Sequence, residues 1–99
     1  MTEQTVTVIA TLKAKPGQEE TLQGELLALI PTTRLEEGCL NYDLHRSNEN
    51  PAVFVFHENW TSRAALEAHL ANAHLVAFMS KADALLAEPP QVALFDRIG

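Results

Sequence analysis

The stretch AVFVFHENW, residues 52–60, decides the fold. In an extended chain Val53 and Val55 fall on one face and Phe54 and Phe56 on the other, so the start of the segment is apolar on both faces. A strand that is apolar on both faces is typical of the interior of a sheet. We therefore predict that residues 52–60 form a central strand.

Three further strands are predicted around this central strand. Residues 5–15 and residues 40–45 alternate apolar and polar side chains, as half-buried strands do. The polar residues 47–51 suit a turn, so the strand at 40–45 is expected to form a hairpin with the central strand. A short apolar run predicts the last strand over residues 91–98.

Two helical segments are predicted between the strands. Apolar residues at helical spacing predict a helix over residues 18–37, with a kink or interruption at Pro31. A second helical segment is expected to be capped by Thr61 or Ser62 and to end at the proline pair that precedes the last strand. An irregular step is expected within it at residues 72–73.

The predicted order of elements is strand, helix, strand, strand, helix, strand, which is the split βαβ arrangement. We therefore predict one α+β domain over residues 1–99 with a ferredoxin-like fold, in which a four-stranded antiparallel sheet carries the helices on one face. The apolar second face of the central strand then needs a cover, which another copy of the chain can supply. The expected assembly is a homodimer packed sheet to sheet.

The composition is that of a folded, acidic protein. Of 99 residues 46% are hydrophobic, which suffices for one core. The 13 Asp and Glu against 7 Lys and Arg give a formal charge of −6, which repels phosphate backbones and anionic lipids. No apolar run is long enough to span a membrane. Neither a nucleic acid nor a membrane is therefore an expected partner.

The cysteine, glycine and histidine residues indicate where the protein is located and which cofactors it can bind. Cys39 is the single cysteine and the first residues lack the features of a secretory signal, so a cytoplasmic location is expected. The glycines form no phosphate-binding loop, and the histidines lack the spacing of zinc motifs. We therefore expect no metal, and any chemistry must run without a nucleotide cofactor or bind one in an unusual way.

His69 is the first candidate for chemistry. It lies between Leu66 and Leu70 on the helix face that is predicted to meet the sheet, where a polar ring needs a partner. Glu58 interrupts an apolar row on the central strand and is the expected partner. Such a pair can transfer protons, or it can simply join strand and helix, and the residues leave both interpretations open.

Four further side chains are candidates for binding a substrate: Trp60, His74, Tyr42 and Asn59. An indole N–H can donate to an oxygen of an aromatic substrate, although a single tryptophan also anchors a small core. His74 follows the irregular helical step and can face a cleft or act as a local cap.

Four blocks of sequence carry a resemblance to a known family. They are KPGQE at 15–19, EEGCLNYD at 36–43, ENW at 58–60 and LEAHLANAH at 66–74. In this order and at this spacing they resemble the antibiotic biosynthesis monooxygenase family, and its quinol monooxygenase branch in particular. Each block alone is weak, but the ordered set covers essentially the whole chain.

The resemblance implies a ferredoxin-like homodimer, of the dimeric α/β barrel kind, with a pocket between the helices and the sheet. It also implies oxygenation without a cofactor, in which the enzyme helps to deprotonate a hydroquinone or polyphenol and the electron-rich anion reduces dioxygen. His69 and His74 match histidines that this branch shares with an autoinducer-degrading branch.

Other branches of the family match less well. The asparagine and the tyrosine of the polyketide-oxidising members are replaced by Phe56 and Leu66, so the proton relay of those members does not transfer. The haem-degrading members carry a tryptophan and a haem-ligating histidine where this chain has His69 and Met79. Haem degradation is therefore not expected.

Three functions remain as expectations. The first is a cofactor-independent monooxygenase that oxidises a small aromatic or quinol-like substrate with dioxygen, with His69 as the acid–base residue, Glu58 orienting it, and Trp60, Tyr42 and His74 lining the pocket. The second is an isomerase or degrading enzyme for a small signal metabolite, which works without oxygen. The third is a non-catalytic ligand-binding dimer, favoured if the chain's own side chains fill the interior.

Overall fold

The computed structural model describes residues 4–99, so residues 1–3 of the predicted domain lie outside the described residues. The elements in chain order are β1 (Val6–Lys13), α1 (Glu19–Arg34), β2 (Cys39–Arg46), β3 (Val53–Trp60), α2 (Arg63–Leu70), α3 (Ala73–Met79), α4 (Ala82–Leu85) and β4 (Gln91–Phe95). The predicted order of strands and helices is confirmed, and the second helical segment is divided into three.

The four strands form one antiparallel sheet in the order β2-β3-β1-β4. β3 pairs with a strand on each side, which confirms that it lies in the interior of the sheet. In this register Glu58 on β3 stands opposite Tyr42 on β2 and opposite Val8 on β1. The predicted ferredoxin-like α+β fold is confirmed.

The two faces of the sheet differ in burial. Every second side chain of β3 is buried in the core with the leucines of α1: Phe54, Phe56, Glu58 and Trp60. The alternate side chains of β3, from Val53 to Asn59, are only half buried. The face toward the helices is therefore the one that can enclose a site.

α1 ends at Arg34, earlier than the predicted end near residue 37. Pro31 lies inside the helix and does not terminate it. The chain then turns through Gly38, which has a φ of +87° and lies so close to α2 that a Cβ atom there would be 2.5 Å from Ala65 Cβ. The early end of α1 leaves Glu36 in the connection between helix and strand, where it is free to face α2.

The second helical segment begins as predicted and breaks twice. The Ser62 hydroxyl caps α2 by accepting the Ala65 N–H at 3.1 Å, and the expected irregular step separates α2 from α3. A second break, at residues 80–81, was not predicted; there the Ser80 hydroxyl donates to the Ala77 carbonyl. Among residues 4–99 no helix is long and apolar enough to cross a membrane.

β4 forms the edge of the sheet beside β1 and ends at Phe95, before the predicted end at residue 98. All of its side chains are exposed in the single chain. Val92, Leu94 and Phe95 are thus large apolar side chains that this chain alone does not cover.

Candidate functional site

A cavity of about 300 Å³ lies between the sheet and the helices. Of its 16 lining residues only Tyr42, Glu58 and His69 carry polar side chains. The others are Val8, Ala10, Leu12, Leu26, Leu29, Phe56, Leu66, Leu70, Leu75, Phe78, Met79, Pro90 and Val92. The chain's own side chains therefore do not fill the interior, and an apolar wall with few polar groups is the usual form of a small-molecule site.

Aromatic packing fixes the polar side chains of the cavity. The Tyr42 ring stacks on Phe56 with 4.3 Å between the ring centroids. The His69 ring stacks on Trp60 at 4.6 Å and meets Tyr42 edge-on at 5.5 Å. Because Trp60 and Tyr42 hold the imidazole from two directions, the orientation of His69 is set by packing as well as by hydrogen bonds.

His69 is buried, and its two ring nitrogens have different surroundings. Nδ1 lies 2.9 Å from Glu36 Oε2. A carboxylate only accepts hydrogen bonds, so Nδ1 carries the proton and Nε2 carries a lone pair. Nε2 makes no hydrogen bond within the described part of the chain, so this nitrogen is the one that can accept a proton from a molecule in the cavity.

The carboxylate that orients His69 is Glu36, and the expectation that Glu58 would do so is wrong. Glu58 instead accepts the Trp60 indole N–H at 2.9 Å through Oε1. Residues 58 and 60 point the same way on β3, which brings indole and carboxylate together. Glu58 still lines the cavity with His69, so the two residues share a site without forming a pair.

Burial shifts the pKa values of all three polar cavity residues toward the uncharged forms. Desolvation raises the pKa of Glu58 to about 7, opposed by the hydrogen bond from Trp60 and reinforced by the charge of Glu36. Desolvation also raises the pKa of Tyr42 and lowers that of His69, the latter against the pull of Glu36. Near neutral pH the phenol of Tyr42 and the imidazole of His69 are therefore uncharged, and Glu58 is near the midpoint of its titration, so the cavity offers an acid and a base together.

His74 lies behind His69 and does not line the cavity. Its Nδ1 donates to Asn72 Oδ1 at 2.9 Å, and its Nε2 lies 2.8 Å from the Thr33 hydroxyl and 3.4 Å from Glu36 Oε2. Of the two sequence-based interpretations, a cleft residue or a local cap, the local one is nearer to the structure, because His74 bonds to Asn72 two residues before it and stays outside the cavity.

Glu36, His69 and His74 present one potential metal ligand each, with these atoms within 4.8 Å of one another. Two imidazoles and a carboxylate are ligands that zinc accepts. Hydrogen bonds between these groups and to Thr33 and Asn72 account for the arrangement without an ion. The expectation of no metal rested on sequence spacing, which says nothing about a cluster drawn from a loop and two helices.

Trp60 and Asn59 do not line the cavity. Trp60 is fully buried behind His69 and acts on the site by stacking and by its bond to Glu58. Asn59 points to the other face of the sheet, where its side chain contacts Thr7 and Asn41. Alternation along β3 makes this unavoidable, because Glu58 and Trp60 both point inward.

Glu36 is the site residue that sequence reasoning missed. It was assigned to the end of the first helix, where a glutamate is normally solvated. The available signal was the Glu36-Glu37-Gly38 block: a glycine with positive φ marks a tight turn directly before β2, and Glu36 lies in that turn rather than on the helix.

Comparison with known proteins identifies the family. The model of the family "Antibiotic biosynthesis monooxygenase" matches residues 5–81. The chain belongs to this family. The matched range contains Glu36, Tyr42, Glu58, His69 and His74, so the resemblance carried by the four sequence blocks is confirmed.

Three proteins illustrate the similarity over most of the chain. "Probable quinol monooxygenase YgiN" of Escherichia coli is 33% identical and the match covers 74% of this chain and 80% of YgiN. The Synechocystis protein sll1783 is 29% identical over 91% of this chain, which spans 61% of its length. The crystal structure of PA3566 from Pseudomonas aeruginosa is similar with a TM-score of 0.93 at 36% identity, covering 100% of this chain and 99% of that one.

Proposed function

We propose that the protein is a cofactor-independent monooxygenase that oxidises a quinol-like or polyphenolic small molecule with dioxygen. The observation that carries this proposal is the His69 imidazole, which lines an apolar cavity, is held by Glu36 through Nδ1 and has no hydrogen bond at Nε2 within residues 4–99. A phenolate reacts with dioxygen far more readily than a phenol, so a positioned base in a dry pocket is the main requirement of this chemistry.

The reaction balances with two proton-transfer residues. His69 Nε2 takes a hydroxyl proton from the quinol, and the anion reduces dioxygen and forms a C–O bond at a ring carbon. Glu58 protonates the resulting peroxide, whose O–O bond breaks as the ring carbon loses its proton. One of the two substrate protons forms water with the departing hydroxide and the other restores Glu58. The products are a hydroxyquinone and water, so no external reductant is required.

Oxygen uptake by the purified, metal-free and flavin-free protein tests the proposal against a panel of hydroquinones. Heat-denatured protein gives the rate of spontaneous autoxidation. His69→Gln is expected to reduce kcat by about 100-fold or more, as loss of a positioned base does. His45→Gln is the matched control, because His45 is an exposed histidine on β2. Equal turnover by His69→Gln and the native protein would show that His69 is not the base.

Labelled dioxygen separates a monooxygenase from an oxidase. Incorporation of one labelled oxygen atom into the product is the expected result. Hydrogen peroxide in place of labelled product would mean a two-electron oxidase and would contradict the proposed oxygen transfer.

A second candidate is an oxygen-independent isomerase for a small oxygenated metabolite. It is favoured by the presence of two proton-transfer groups in one cavity: His69 can remove a proton from carbon while protonated Glu58 returns one elsewhere on the same molecule. Such a reaction moves a proton and consumes no oxygen. Turnover that persists under anaerobic conditions distinguishes it from the monooxygenase.

We also propose that the chain acts as a homodimer. Support comes from β4, whose apolar side chains are exposed, and from the half-buried outer face of β3. Val92 lines the cavity and is half exposed, so a partner covering β4 would also cover one wall of the site. Sedimentation should give twice the chain mass, and Phe95→Glu should shift the protein toward monomer. A native monomer would contradict this proposal.

A further inference from the structure

Glu36 is shared between two imidazoles. Its Oε2 lies 2.9 Å from His69 Nδ1 and 3.4 Å from His74 Nε2. The exposed fraction of the side chain rises from 3% for His69 to 10% for Glu36 and 18% for His74. The carboxylate therefore lies between a histidine in the interior and a histidine near the surface. Because both imidazoles approach the same oxygen, a stronger interaction with one weakens the interaction with the other.

Hydrogen bonds to Asn72 and Thr33 hold the His74 ring in position. Asn72 precedes α3, where its side chain would ordinarily cap the helix, yet it makes no cap bond and accepts from His74 Nδ1 instead. On the other side of the ring Nε2 meets the hydroxyl of Thr33, a fully buried residue in the last turn of α1. The ring is thus fixed at both nitrogens, with Nε2 bonded to Thr33 and 3.4 Å from the shared carboxylate.

We propose that Glu36 and His74 are opposed positioning residues that set how readily His69 takes a proton from the substrate. Glu36 favours the protonated imidazole through its negative charge and its hydrogen bond. His74 disfavours it when both of its ring nitrogens are protonated, by its positive charge and by donating from Nε2 to the same carboxylate oxygen. The inference deepens the proposed function and rests on it in one respect, namely that His69 is the base.

The groups facing His69 act on its protonation in two opposite directions. The titratable side chains around it are Glu36 from the connection after α1, His74 from α3, Tyr42 from β2 and Glu58 across the cavity. After desolvation, Glu36 raises the pKa of His69, while His74 lowers it. Neither residue touches the cavity, so each acts on the substrate only through His69.

NMR titration of the His69 ring in the 99-residue chain tests the inference without any turnover. In Glu36→Gln the midpoint should fall by about one pH unit, as expected for loss of an adjacent opposite charge. In His74→Gln the midpoint should rise, whereas in His74→Lys, which keeps a permanent positive charge there, it should fall. His45→Gln is the control, since it removes an exposed histidine outside the cluster and should leave the midpoint unchanged.

The two substitutions at position 74 separate charge from packing. Loosened packing would hydrate His69 and raise its midpoint in both variants, so a shift in the same direction in His74→Gln and His74→Lys overturns the inference. If His74→Gln does not fold, Thr33→Val replaces it: without the hydroxyl, Glu36 is the remaining neighbour of His74 Nε2, so protonated His74 pairs with Glu36 alone and the His69 midpoint should fall. An unchanged midpoint in that variant also overturns the inference.

Turnover is measured in a separate experiment from the NMR titration. In active protein the acid limb of the pH profile of kcat/KM should follow the His69 midpoint in each variant. If the midpoints shift as expected but no hydroquinone consumes oxygen, the proposed function fails and the assignment of Glu36 and His74 stands. If oxygen is consumed but the midpoints do not shift in opposite directions, the assignment fails and the proposed function stands.

Discussion

Two largely buried glutamates serve the same site in different ways. Glu58 lies on β3, lines the cavity and has a single indole N–H as its partner, and burial raises its pKa to about 7. Glu36 lies in the connection after α1, outside the cavity, with an imidazole on each side. The number and kind of hydrogen-bond donors around a carboxylate, rather than its burial alone, decide whether it acts as an acid or as the partner of a base.

The largest expected effect separates the two glutamates by pH profile. The active form has neutral His69 and protonated Glu58, so kcat/KM should fall at low pH as His69 is protonated and above about pH 7 as Glu58 ionises. Glu58→Gln should reduce kcat by about 100-fold, because an amide cannot supply the proton, and should remove the alkaline limb. Glu36→Gln should keep that limb and shift the acid limb to lower pH.

Steady-state rates of oxygen uptake between pH 5 and pH 9 give both limbs. Loss of the alkaline limb in Glu36→Gln rather than in Glu58→Gln would exchange the roles assigned to the two carboxylates. An alkaline limb that survives in both variants would show that neither is the acid.

The second prediction concerns the stability of the fold. The pKa of Glu58 is higher in the folded chain than the usual value of 4.5, so the unfolded chain releases this proton more easily and the free energy of unfolding falls as pH rises toward and through about 7. The full difference corresponds to about 3 kcal/mol. Urea unfolding at pH 5 and pH 8 should show a larger loss of unfolding free energy with rising pH in the native protein than in Glu58→Gln.

His69 contributes to the same measurement with the opposite sign. Its pKa is lowered in the folded chain, so its stabilising contribution is present at high pH and is lost as pH falls below the unfolded value of about 6.5. The double variant Glu58→Gln, His69→Gln should therefore have the flattest dependence of unfolding free energy on pH. If the change in unfolding free energy between pH 5 and pH 8 is the same in the native protein and in Glu58→Gln, the raised pKa of Glu58 is contradicted.

The third prediction compares the two glycines that have positive φ. Gly38 sets the turn that frees Glu36, and a Cβ atom there would meet Ala65 Cβ at 2.5 Å, whereas Gly17 has nothing within 4 Å of such an atom. Gly17→Ala carries only backbone strain, while Gly38→Ala adds a steric clash, so it should cost about 2 kcal/mol more in unfolding free energy. Thermal or urea unfolding of both variants measures the difference.

The double variant Gly38→Ala, Ala65→Gly is the control for the clash. It should recover part of the loss, because the Ala65 Cβ is removed, while the close contact with Thr61 Oγ1 at 2.7 Å and the strain at φ +87° remain. Equal destabilisation by Gly17→Ala and Gly38→Ala would mean that the close approach of α2 does not constrain this turn.

The fold could be predicted from sequence because its signals are local. Alternation in β3, helical spacing in the two helical segments and the Ser62 cap each depend on residues within a few positions of one another. The end of α1 was harder to predict, because the polar residues after Arg34 are compatible with a helix. Only the approach of Ala65 to Gly38 shows why the chain turns there.

The site could be predicted in part for the same reason. His69 and Glu58 are detectable as polar residues in apolar rows, and Tyr42 follows from its place on β2. Which carboxylate meets His69 depends on a contact between residues 33 positions apart, which no local pattern encodes. The position of Asn59 could have been deduced, since a residue between two inward-pointing neighbours on a strand must point outward.

The smallest effect on turnover is expected for a substitution on the outer face of the sheet, which serves as a comparison for substitutions in the cavity. Asn59 bonds to Asn41 and contacts Thr7, on the side of β3 away from the cavity. Asn59→Ala should therefore leave KM and kcat unchanged, whereas Tyr42→Phe, which removes a cavity hydroxyl and keeps the ring stacked on Phe56, should raise KM. If Asn59→Ala alters KM while Tyr42→Phe does not, the substrate binds on the outer face, and the cavity beneath the helices is not the active site.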